Sequence, residues 1–160
     1  MYINTGFRRS TPIMLLTSSA LLILCLCVHH TRTSSLDDGL HFTYQSYEQL
    51  SKWLEDASKA YPRIASYHSV GKSVEGRELW VLRLSENVQA ERPLGRPMFK
   101  FVANMHGDET VGRALVTILG EYLMLNYGKD ERVTTLLNST DIHLMPSMNP
   151  DGFAASKVIL

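Results

Sequence analysis

"MFKFVANMHGDETVGRALVTILGEYL", Met98 to Leu123, changes its periodicity in the middle. Its start, within "RPMFKFVAN", is a short, mostly apolar run that predicts a strand interior to a sheet. From Val111 onward the apolar residues Val111, Ala114, Leu115, Ile118, Leu119, Tyr122 and Leu123 recur at helical spacing, and Gly128 is a natural stop. A strand that feeds a helix through a short loop is the unit from which α/β sheets are built. The loop carries His106 and Glu109, three residues apart.

The flanks extend this reading. "SYEQLSKWLEDASKAYP", from Ser46, predicts a helix: Gln49 stands three residues after Ser46 in a capping-box pattern, and Pro62 ends the run. "IASYHSVG" and "RELWVLRLS" are β-rich and separated by "KSVEG", a hairpin whose turn uses Gly76. Downstream come a short helix around Arg132 to Leu137, a strand "DIHLMPS" and a turn signal "NPDG". The expected fold is α/β, a mixed open sheet flanked by helices, with one hairpin among its strands.

A chain of 160 residues suits one domain, and 16 basic against 16 acidic residues argue against nucleic acid as a partner. Residues 1–35 are set apart. Arg8 and Arg9 precede an apolar run from Pro12 to Val28, followed by polar residues, which is the layout of a secretory signal peptide. Thr17, Ser18 and Ser19 interrupt the run, which argues against a full membrane span; an uncleaved anchor is the alternative. Both cysteines, Cys25 and Cys27, fall inside it, so residues 36–160 have no cysteine for a disulfide.

Position gives the loop its chemical interest. The carboxyl end of a strand is where open α/β sheets put ligands. Residues i and i+3 entering a helix are neighbours. An imidazole nitrogen and a carboxylate oxygen are both zinc ligands, and a hydrolytic zinc site needs a third protein ligand and an open position for water. Zinc there would polarise a carbonyl and lower the pKa of bound water. The plain alternative is that Asp108 and Glu109 are acids favoured at a helix start, with His106 a loop residue.

Three segments in order, "YHSVGKSVEGRELWVLRLS", "NMHGDETVGR" and "HLMPSMNPDGF", resemble the amino-terminal half of an M14 zinc metallocarboxypeptidase. The likeness is to the regulatory branch of carboxypeptidases D, E, M and N, most of all to a carboxypeptidase D-type domain, over about His41 to Phe153. It implies zinc as cofactor, with His106 and Glu109 as the first two metal ligands. It also implies peptide or protein C-termini as substrates, lysine or arginine being removed, in the secretory pathway or outside the cell. Membrane attachment of the full-length form stays open. Arg113 matches the family motif or is an exposed helix arginine. Asn149 to Gly152 match a turn with a structural role. Asp108 and Ala114 depart from the branch, which has asparagine and glutamate there.

The family's third ligand, its carboxylate-binding residues and its general base lie further downstream. The tail "AASKVIL" has none of them, and His41, His68 and His143 are poor substitutes. The expectation is therefore an inactive amino-terminal part of such a domain, binding zinc weakly, with an open sheet edge prone to association. The alternatives are a non-catalytic secreted binding or regulatory fragment, and an acylase-type amidohydrolase using the same pair. "NST" at Asn138 is a glycosylation sequon, expected on a turn after the short helix. Trp53 and Trp80 are expected in the core, and His29 and His30 as flanking polar residues.

Overall fold

A computed structural model describes residues 43–156. All of them belong to the unit Leu36–Leu160. The signal-peptide reading of residues 1–35, with His29, His30, Cys25 and Cys27, and the reading of His41 lie outside the described residues.

Helix α1, Tyr47–Ala60, begins as its sequence requires. Ser46 Oγ accepts from the Gln49 amide and the Gln49 side chain accepts from the Ser46 amide, so each satisfies an amide that the first turn leaves without a partner. Its buried stripe is Leu50, Leu54 and Ala57. Strands β1, Ala65–Lys72, and β2, Glu78–Leu84, form an antiparallel hairpin. Gly76 in its turn has φ of 82°, a conformation that costs glycine little. Strand β3, Met98–Val102, leads to α2, Thr110–Asn126; α3, Glu131–Ser139, leads to β4, Asp141–Met145, and then to a short α4, Pro150–Ala155.

The sheet order is β1-β2-β4-β3, with β4 antiparallel to β2 and parallel to β3. Leu82, Leu84, Ile142 and Leu144 meet α1, Val116, Leu123 and Met124 of α2, and Val133 and Leu137 of α3 in one core. Trp53 and Trp80 pack at its border, half-buried. Gly120 brings α2 close to the sheet, since a Cβ there would lie 2.9 Å from Leu82 Cδ2.

Four expectations need correction. Strand β3 is an edge strand among the described residues, and all five of its residues are exposed. An apolar run records what a strand requires beside it, not which neighbours it has. Helix α2 turns Ala114, Val116, Thr117, Gly120, Leu123 and Met124 inward, while Val111, Leu115, Leu119 and Tyr122 of the expected face are exposed. The helix is apolar on both sides, so periodicity alone could not choose between them. "NPDG" opens a helix instead of making an isolated turn, because an asparagine before a proline also suits an N-cap followed by the first helical residue. Asn138 lies in the last turn of α3, not after it; its Oδ1 accepts from Tyr127 Oη at 2.8 Å.

Candidate metal centre

Strands β3 and β4 run parallel, so the loops that follow them leave the same end of the sheet. Backbone bonds tie the loops together: the Ala103 amide donates to Met145 O, the Met148 amide to Ala103 O, and the Asn149 amide to Asn104 O, all at 3.0–3.1 Å. In the β3 loop the Glu109 amide donates to His106 O at 3.1 Å, closing a single turn. His106 and Glu109 are both exposed at its two ends. Glu109 stands at the N-cap of α2, yet its side chain makes no capping hydrogen bond. Helix capping therefore does not account for this carboxylate. It borders a groove of about 300 Å³ with Phe101, Met105, Gly112 and Leu115.

Gly107 is needed for proximity. A Cβ on it would fall 2.0 Å from the carbonyl carbon of Gly152, so the backbone of α4 occupies the space a side chain would take. Gly107 also lies within the single turn closed by the Glu109 amide and His106 O. Helix α4 is itself capped by Asn149 Oδ1, which accepts from the Gly152 amide at 2.8 Å.

Asp151 joins α4 to the hairpin turn between β1 and β2. Its carboxylate accepts from Ser73 Oγ at 2.8 Å, from the Glu75 amide at 3.0 Å and from Arg77 Nη1 at 2.6 Å. Desolvation opposes its ionisation, but the Glu75 amide, Arg77 and Ser73 outweigh it and hold the carboxyl below the usual carboxylate range. The three sequence motifs thus meet at one end of the sheet.

Arg113 is not the exposed helix residue that the sequence allowed. It is 2 % exposed; Nη2 donates to Gln45 O and Ser46 O, both at 3.0 Å, and its guanidinium lies 3.9 Å from the Phe153 ring centroid. Burial pulls its pKa down to about 10, opposed by the charge of Glu48, so it stays a cation at neutral pH. It braces α2 against the start of α1 and against α4. Ala114 is buried, where a methyl fits, and Asp108 is exposed; nothing in the structure explains why these two depart from the branch pattern.

Sequence reasoning missed Asn104 and Ser147. Asn104 has φ of 56°, a left-handed conformation in which asparagine is enriched, and the signal available was an asparagine between a strand and a loop. His68 and His143 lie elsewhere, their rings 6.0 Å apart in an edge arrangement and lining the sheet face opposite the helices. They supply nothing to the β3 loop. The donor chemistry of His106 and Glu109 suits zinc as two positions of a four-coordinate site. Among the described residues no group of three His, Cys, Asp or Glu side chains could hold a metal ion.

Residues 50–158 match the M14 peptidase family, described as zinc carboxypeptidase. The chain is 51 % identical to mouse carboxypeptidase M over 117 residues, covering 73 % of this chain and 26 % of that protein. It is 41 % identical to carboxypeptidase D of Drosophila melanogaster over 90 % of this chain and 10 % of that protein. Human carboxypeptidase N catalytic chain is 40 % identical, with 82 % and 29 % covered. The chain thus spans less than a third of the length of each. Among solved structures, thrombin activatable fibrinolysis inhibitor superposes with a TM-score of 0.65 at 25 % identity, covering 76 % of this chain and 30 % of that one. Carboxypeptidase A from Helicoverpa armigera shares the fold, with a TM-score of 0.63, 24 % identity, and 84 % and 31 % covered. With a family match over most of its length and a mixed sheet of the same fold, the chain belongs to the M14 family of zinc carboxypeptidases.

Proposed function

We propose that His106 and Glu109 are two zinc ligands of a metallocarboxypeptidase that removes C-terminal residues, lysine or arginine foremost, from peptides and proteins. One observation carries this reading: Glu109 occupies a helix N-cap without capping the helix, on the same one-turn loop as His106, at the carboxyl ends of two parallel strands. When bound, zinc supplies a Lewis acid that polarises a scissile carbonyl and activates water. The residues of this chain hold the loop: Gly107 admits the backbone of α4, Asp151 anchors α4 to the hairpin turn, and Arg113 supports α2 from beneath.

Two donors do not close a zinc site, so we propose that the described residues bind zinc weakly and hydrolyse nothing alone. The exposed apolar surface supports a further packing partner in the complete domain. It includes Phe99, Phe101 and Val102 of β3 and Val111, Leu115, Leu119 and Tyr122 of α2. The non-catalytic binding role rests on the same surface, and the acylase-type reading leaves the clustering of all three motifs unexplained. An N-terminal secretory signal over residues 1–35 and a glycan on the exposed Asn138 belong to the same proposal, which sets the protein in the secretory pathway or outside the cell. Membrane attachment belongs to the proposal only for a full-length form. Among the described residues no helix is long and apolar enough to cross a membrane.

The test is zinc titration of the chain and of His106→Ala and Glu109→Gln, with release of C-terminal arginine from a short peptide followed in parallel. Weak uptake that both substitutions abolish, without turnover, supports the reading. Uptake unaffected by either substitution contradicts it.

A further inference from the structure

Asn104 is 4 % exposed and sits inside the loop that carries the two proposed ligands. Its Nδ2 lies 2.9 Å from His106 O, 3.3 Å from Gly107 O and 3.2 Å from Glu109 O. Three carbonyls around one end of the amide require the NH₂ there, because a carbonyl can only accept. The other end, Oδ1, accepts from the buried Ser147 Oγ at 2.7 Å, and the main-chain carbonyl of Asn104 accepts from the Asn149 amide. The β4 loop therefore fixes the amide, and the amide fixes the β3 loop.

Two of the three carbonyls belong to the proposed ligands themselves. Their side chains are exposed, so side-chain packing does not fix them; the rest of the loop's support is Glu109 N to His106 O, Thr110 N to Asp108 O and the contact of Gly107 with the backbone of Gly152. We propose that Asn104 is a positioning residue: from the β4 loop it holds the backbone of His106 and Glu109 in the shape that presents both side chains to one metal ion. This rests on the reading of those two residues as zinc ligands. The left-handed backbone at 104 adds a requirement that glycine meets and most residues do not, so the amide's role can be separated from that of the fold.

The experiment compares the full chain with Asn104→Gly, which tolerates the φ but has no amide, and Asn104→Asp, which keeps the size but has no donor for the carbonyls. Cobalt(II) affinity is read from its visible absorption, and hydrogen exchange is read at the Glu109 amide, with the Leu54 amide of α1 as control. The role predicts cobalt binding weakened about tenfold in both variants, as for partners that orient metal ligands, and Glu109 exchange accelerated against an unchanged Leu54. If either variant fails to fold, Ser147→Ala, which frees the amide without touching the loop, is expected to shift both readings the same way by a smaller factor. Cobalt uptake indifferent to these changes, or Glu109 exchange that moves only in step with Leu54, overturns the role alone. No uptake by the unaltered chain overturns the ligand reading and this role with it.

Discussion

Gly107 shows how one residue joins two loops. The carbonyl carbon of Gly152 lies 2.0 Å from where a Cβ would stand, so any side chain forces two backbones apart. Gly107→Ala is expected to cost about 3 kcal/mol in a denaturant titration, at the upper end for overpacking, since backbone and not a movable side chain is met. Asp141 is a second case. It is 1 % exposed and takes two bonds from Arg83, at 2.8 and 3.0 Å. Desolvation works against its charge, but Arg83 wins and holds the carboxyl below its usual range. Asp141→Asn leaves Arg83 without its counter-ion and is expected to cost on the order of 3 kcal/mol, read by the same titration.

At the scale of elements, the hairpin turn and α4 act as one piece because Asp151 bonds to Ser73, Glu75 and Arg77. Asp151→Ala is expected to speed hydrogen exchange at the Glu75 and Gly152 amides while α3 stays protected, which residue-resolved exchange can read. Across the sheet, burial lowers the pKa of His143, with Asp141, 3.3 Å away, opposing the shift. The unfolded chain then takes up a proton below about 6.5 that the folded chain resists, so stability falls as pH drops through that value. His143→Gln is expected to flatten the change in unfolding midpoint between pH 7.5 and 5.5. The elements legible in the sequence are those set by local chemistry: the capping box of α1 and the Gly76 turn need only their own neighbours. The inward face of α2 was not legible, because Gly120 and Arg113 choose it through contacts with Leu82, Gln45 and Phe153 that lie far away in sequence. Of the site, the candidate pair could be read from its place after a strand and from the motifs on either side, since its spacing alone suits a helix start equally, but the Asn104 and Asp151 supports exist only once β3, β4 and the hairpin are assembled in one sheet.

For the whole molecule, the open edge of β3 and the outer stripe of α2 leave an exposed apolar surface among the described residues. That surface should drive association, and Phe101→Lys is expected to lower the sedimenting mass at a given concentration while changing the free energy of unfolding by no more than about 0.5 kcal/mol. The central claim is that His106 and Glu109 are metal ligands of a carboxypeptidase. The most direct measurement joins residues up to Phe153 to the part of mouse carboxypeptidase M that follows the matched segment, then records zinc content and release of C-terminal arginine. One zinc per chain and turnover are expected, both lost in His106→Ala and in Glu109→Gln. Zinc and turnover that survive either substitution would contradict it.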